Sequence, residues 1–188
     1  MTLADLLSGV LGHLDRLSIA YMIGGSTASS VYGEPRTTRD VDIVVEVDAV
    51  SLQALFDSFD PMSIYIDRVP SGDGVAPGEM FNIIDTRGGW KIDLVVRKDR
   101  PFSEVEFARR HLVELLGREV MMATAEDVVL AKLEWSVRSA SSRQIDDARG
   151  VVRVQGDRLD VGYLRSWAVR LGVSDELDEV LQGGGSPA

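Results

Sequence analysis

The sequence predicts an α/β protein: a small mixed, twisted sheet with helices packed on it, followed by a C-terminal helical subdomain. Three observations lead there. Short, apolar, strand-like runs recur through the first hundred residues, at 20s positions 21–23 and again at 40–47, 80–85 and 90–96. Segments of helical period lie before and between them, at 3–17 and 49–59. After Arg100-Pro101 the character changes and helix signals dominate. The expected division is an α/β core over 1–100, a mainly helical subdomain over 101–182 and a disordered tail at 183–188.

Each element has a local reason. In the first helix Leu3, Leu6, Leu7, Val10, Leu11, Leu14 and Leu17 share one face, and Thr2 caps its start. Tyr21-Met22-Ile23 is a short strand, and Gly24-Gly25 permits a tight turn. Ser26 reads as the cap of a helix to about Tyr32, closed by Gly33, Glu34 and Pro35. A strand over 40–47 and a covering helix over 49–59 follow, the latter stopped by Asp60-Pro61. A strand is expected at 64–68, a loop at 70–78, and a hairpin from 80–85 to 90–96 through Thr86-Arg87-Gly88-Gly89. A short helix near 103–110 precedes a small hairpin around Gly117. Thr124, with Asp127 three residues on, opens a helix to about 138. Further helices are expected at 143–154, 160–171 and 175–181.

Composition narrows the chemistry. The formal charge of −10 argues against a surface built for non-specific nucleic-acid binding, which needs a basic footprint. The absence of cysteine excludes disulfides, thiolate metal sites and a cysteine nucleophile. Two histidines, His13 and His111, are too few for a multi-histidine zinc site. No apolar run approaches membrane-spanning length, so the expected location is cytoplasmic, away from membranes.

The chemistry concentrates at 22–45. In a strand, residues two apart project from the same face, so Asp40 and Asp42 stand together, with Val41, Ile43 and Val45 on the other face. Two like charges at the start of a buried strand are costly unless a cation neutralises them. Alone, most such pairs are solvated acids. Here a Gly-Gly-Ser turn lies upstream, Arg36, Thr38 and Arg39 crowd the approach, and Asp93 sits within a later apolar strand beside Lys91 and Val95 on its face. Magnesium favours carboxylate oxygens, and three carboxylates on adjacent strands suit two-metal phosphoryl or nucleotidyl transfer. Gly24-Gly25-Ser26 can aim backbone N–H groups and a hydroxyl at a phosphate. Arg36 and Arg39 either pair with Asp40 and Asp42 or contact phosphate. On pattern alone Lys132 reads as a snorkelling surface lysine, and Asp146 and Asp147 as first-turn acids of a helix. Trp90, Trp135 and Trp167 read as core residues.

Ile23-Gly24-Gly25-Ser26, Arg36-Thr37-Thr38-Arg39-Asp40-Val41-Asp42-Ile43 and Ile92-Asp93-Leu94 together resemble the signature of the nucleotidyltransferase superfamily, which has the DNA polymerase β-like fold. Arg36-x-Thr38-x-Asp40-x-Asp42 looks specifically like the abortive-infection-type nucleotidyltransferases found as toxins of toxin–antitoxin pairs. Lys132, Arg138 or Arg143, and Asp146-Asp147 are similar in order to the helical motif of that group.

The resemblance implies a magnesium-dependent transfer of a nucleoside monophosphate from an NTP to a hydroxyl, with pyrophosphate released. Asp40, Asp42 and Asp93 would be the catalytic acids and hold two Mg2+ ions, and Asp93 would help deprotonate the attacking hydroxyl. Gly24, Gly25, Ser26, Arg36, Arg39 and Lys132 would bind the nucleotide. The acceptor would be RNA (tRNA-like) or protein, with a cognate antitoxin protein as a further partner. The alternatives are a small-molecule transferase of the antibiotic-modifying kind and a non-catalytic nucleotide- or partner-binding module of the same fold.

Overall fold

The computed structural model describes residues 1–38, 40–67 and 75–183. In chain order these form α1 (Leu3–Arg16), β1 (Ala20–Ile23), α2 (Gly25–Tyr32), β2 (Asp40–Glu46), α3 (Ala49–Asp57), β3 (Ile64–Asp67), β4 (Met80–Asp85), β5 (Lys91–Val96), α4 (Pro101–Arg109), β6 (His111–Leu115), β7 (Arg118–Met122), α5 (Ala125–Ser139), α6 (Ser142–Gln155), α7 (Val161–Leu171) and α8 (Ser174–Gly183). The α/β class expected from the sequence is the class observed. Among the described residues no helix is long and apolar enough to cross a membrane.

The chain packs as two compact units. The first is built from Met1–Ile23 and Thr38–Met122, the second from Gly24–Thr37 and Ala123–Ala188. This differs from a linear division at about residue 100. Residues 101–122 stay with the sheet because β7 pairs with β1 and carries β6 with it. The short segment 24–37 goes with the helices because α2 packs on α5 and α6.

The first unit holds a seven-stranded mixed sheet in the order β3-β4-β5-β2-β1-β7-β6. β2 is its middle strand. It runs parallel to β5 on one side and antiparallel to β1 on the other. Alternation decides its orientation: Val41, Ile43 and Val45 are buried, whereas Asp40, Asp42 and Val44 on the opposite face are partly exposed. β5 repeats the pattern with Ile92, Leu94 and Val96 buried. The hairpin of β4 and β5 matches Ile83 with Ile92. Asp85, fully buried, closes its turn by accepting the backbone N–H groups of Arg87 and Gly88. α1 buries Leu6, Leu7, Val10, Leu11 and Leu14, each burial being worth about 1.5–3 kcal/mol. A Thr2–Asp5 capping box fixes its start, as the sequence suggested for Thr2.

The second unit is helical. α5 packs along α6, and α2 lies against both; α7 and α8 complete the group. Thr124 caps α5 by accepting the Asp127 N–H. Asp127, itself fully buried, accepts a hydrogen bond from the Tyr163 hydroxyl on α7 at 2.5 Å. α2 crosses α6 closely where Gly33 meets the backbone of Gly150 and Val151: a Cβ at Gly33 would stand 2.8–2.9 Å from three backbone atoms. Residues 184–188 of the expected tail, and 70–74 of the expected loop, lie outside the described residues.

Two expectations are corrected. Ser26 does not cap α2: the cap is Gly24, the helix starts at Gly25, and Ser26 lies in its first turn. Gly25 takes φ +54°, a conformation L side chains rarely adopt, so glycine is what lets the helix start there. Trp135 is not core. It is half exposed, because it sits on α5 opposite the stripe of Val129, Leu130 and Leu133 that is buried, whereas Trp167 is buried.

Candidate functional site

In the first unit the register of β2 and β5 pairs Asp42 with Asp93 and Asp40 with Lys91. Neighbours paired in this way point to the same face of the sheet. Asp40, Asp42, Lys91 and Asp93 therefore form a two-by-two block. The row continues outward, since Asp93 is registered with Asn82 of β4, and Asn82 with Asp67 of β3.

The block is held by direct contacts. The Thr38 hydroxyl donates to Asp40 Oδ1 at 2.7 Å. Lys91 Nζ lies 2.9 Å from both carboxylate oxygens of Asp93 and 3.9 Å from Asp40 Oδ2. Asp93 is 7% exposed, and its Oδ1 has no aligned hydrogen-bond donor although the ammonium is at ion-pair distance. That alignment matters more than proximity for a buried oxygen. Burial works to lower the Lys91 pKa, but the hydrogen bond it donates to Asp93 and the charges of Asp93, Asp40 and Asp42 outweigh it and hold the pKa above its usual value. Among the described residues no group of three or more His, Cys, Asp or Glu side chains is gathered as a metal-binding set. An ammonium group stands among these carboxylates instead.

In the second unit a different cluster forms. Arg36 places Nε and Nη2 each 3.0 Å from the two oxygens of Asp147 on α6, a forked pairing. Lys132 Nζ on α5 reaches Asp147 Oδ2 at 2.8 Å. Arg36 Nη2 also donates to the Ser26 hydroxyl oxygen at 2.6 Å, and Lys132 Nζ lies 3.4 Å from it. Two cations thus share one carboxylate at the first turn of α2. There the leading N–H groups of a helix have no intrahelical acceptor. Lys132 is 4% exposed. Burial works to raise the Asp147 pKa, but the Arg36 and Lys132 hydrogen bonds and charges outweigh it and hold the carboxyl below its ordinary value.

The sequence-derived residues divide between these clusters. Asp40, Asp42 and Asp93 come together in the first unit. Gly24, Gly25, Ser26, Arg36 and Lys132 belong to the second. Arg39 lies outside the described residues. Arg36 forks onto Asp147 rather than onto Asp40 or Asp42. Lys132 is buried in an ion pair rather than snorkelling on the surface. Neither acid lies in the first turn of α6: Asp146, its fifth residue, is exposed and paired with Arg149, and Asp147, its sixth, meets Arg36 and Lys132. Sequence reasoning placed Lys91 on the face of Asp93 without giving it a role, and missed Asn82 as a neighbour of the acids. Lys91 had a signal: it lies two residues before Asp93 on one strand face. Asn82 had none, because its position depends on the β4–β5 register.

No protein-family model and no curated protein matches the chain. Solved structures do. An antigenic nucleotidyltransferase-like protein from Paracoccidioides brasiliensis matches with a TM-score of 0.59 and 20% identity, over 96% of this chain and 92% of that one. The chain has the nucleotidyltransferase fold. The nucleotidyltransferase fold also links it to ANT(2'')-Ia in complex with adenylyl-2''-tobramycin, with a TM-score of 0.57 and 15% identity over 88% of this chain and 96% of that one. The lincomycin-bound lincosamide antibiotic adenylyltransferase LnuA matches with a TM-score of 0.52 and 10% identity over 77% and 95%. At such identities the likeness is one of fold.

Proposed function

We propose that the chain is a magnesium-dependent nucleotidyltransferase, moving a nucleoside monophosphate from an NTP to a hydroxyl. The observation that carries this is the registered pair Asp42 and Asp93, with Asp40 on the same face, in a chain of this fold. The donor set suits the metal: three carboxylates offer hard oxygen ligands, and the buried Asp93 Oδ1 has no aligned donor. Asp40, Asp42 and Asp93 would hold it. Bound there, magnesium neutralises triphosphate charge and lowers the pKa of the attacking hydroxyl.

The chain's own groups do the rest. Ser26, Arg36 and Lys132 bind phosphate oxygens, Arg36 as a fork and Lys132 as a point charge. Asp147 holds both cations in place. The acceptor oxygen forms a bond to the α-phosphorus while the bond to pyrophosphate breaks, and the acceptor's proton passes to Asp93.

Two acceptor classes have support. The Arg36-x-Thr38-x-Asp40-x-Asp42 motif favours RNA or protein, as in a cytoplasmic toxin restrained by an antitoxin. The formal charge of −10 and the likeness to ANT(2'')-Ia and LnuA favour a small cationic acceptor. Purified protein with magnesium and each of four α-labelled NTPs, offered total RNA, cell extract and aminoglycosides in turn, separates them. Label in one acceptor, absent with Asp42→Ala, supports the activity and names the class. Nucleotide bound but never transferred would leave a binding module of the same fold.

A further inference from the structure

The second residue of the two-by-two block on β5 is a lysine, and it sits where a divalent cation would be wanted. Lys91 and Asp93 are two apart on one strand, so they share a face. Register brings Lys91 beside Asp40, and Asp93 beside Asp42. The ammonium is consequently 2.9 Å from both oxygens of Asp93 and 3.9 Å from Asp40 Oδ2. An ammonium 2.9 Å from both oxygens of Asp93 competes with a magnesium ion for that carboxylate, since like charges repel at that range. The lysine can leave, because its side chain is 35% exposed and its four-carbon stem is flexible.

We infer that Lys91 is a built-in partial stand-in for the metal: its ammonium offsets one of the three negative charges of Asp40, Asp42 and Asp93, chiefly that of the buried Asp93, and a divalent ion binds there by displacing it. This rests on the reading of the three acids as metal ligands. It has two consequences. The chain folds without metal, because the most buried of its acids, Asp93, already has a cation. Its affinity for a divalent ion alone is weakened by the work of moving Lys91 into water.

The test is a Mn2+ titration by calorimetry and by loss of the free-ion EPR signal, on the wild type, Lys91→Met, Lys91→Arg and Asp93→Asn, with melting curves for each. Lys91→Met is expected to bind Mn2+ about tenfold more tightly or better. Lys91→Arg should stay near the wild type. Metal-free Lys91→Met should melt lower than the wild type and gain more from Mn2+. Equal or weaker Mn2+ binding by folded Lys91→Met, with binding by the wild type abolished in Asp93→Asn, would overturn the role of Lys91 and leave the metal site standing. Absence of Mn2+ binding in all four proteins would overturn both. Should Lys91→Met fail to fold, Lys91→Gln takes the same titration. A Mn2+-soaked crystal of the wild type gives a direct reading: the ammonium off Asp93 supports the inference, and the ammonium still on Asp93 beside bound metal refutes it.

Discussion

Asp42 stands directly across from Asp93 in the parallel pairing of β2 and β5, two residues beyond the pairing of Asp40 with Lys91 that begins it. The two acids differ in burial. Asp93 is buried and in contact with the Lys91 ammonium, whereas Asp42 is partly exposed at the same level of the sheet.

That difference separates two substitutions. Asp42→Asn should hold or raise the melting temperature of the metal-free protein, since it removes one of two facing negative charges. Asp93→Asn should cost about 1–2 kcal/mol, because Lys91 loses its nearest anion. Both should abolish nucleotidyl transfer. Urea unfolding of the two variants is the check, and an equal loss in both would make Asp42 a structural acid.

Asp147 is the keystone of the helical unit. Replacing it with Ala leaves the buried Lys132 and the half-buried Arg36 without their shared anion, a loss of about 3–5 kcal/mol. Pairing Asp147→Ala with Lys132→Met should recover much of that, as removing both partners of a buried pair does.

The same residue sets an acid limit. Its pKa is lower in the folded chain than the ordinary 3.8, so the stability it contributes is complete above that value and drains away as pH falls through the folded pKa. Denaturant midpoints followed downward from neutral pH should fall in the wild type below about pH 4. Asp147→Asn should start lower and show a shallower decline there.

Two glycines give opposite expectations. Gly33→Ala would push a methyl into backbone atoms of Ser29, Gly150 and Val151, at a cost of about 1–3 kcal/mol. Gly9, on the exposed side of α1, has open space for a Cβ. Gly9→Ala should stabilise by about 0.5–1 kcal/mol. Thermal melts of the two variants should move in opposite directions.

Local patterns made the elements legible. Alternation located β2 and β5, leucine spacing located α1, and Thr124 marked the start of α5. The three acids were legible for the same reason, since Asp42 and Asp93 interrupt apolar strands and Asp40 opens one. Long-range pairing was not. Nothing near His111 or Arg118 says that β7 will run parallel beside β1. Nothing around Lys132 says that it is buried, because its anion lies 15 residues later on another helix. Arg36 was readable as a cation but not in its choice of partner, which is 111 residues away.

The helical unit draws α2 from one end of the chain and α5 to α8 from the other. A gene cut at residue 100 would hence yield no independent module. The front fragment would carry α2 with its companions missing, and the sheet would lose β6 and β7 to the other product. Shortened versions for expression should keep both ends, and two-fragment complementation should be sought instead at an exposed turn inside one unit, such as the one joining β6 to β7 at Leu116-Gly117.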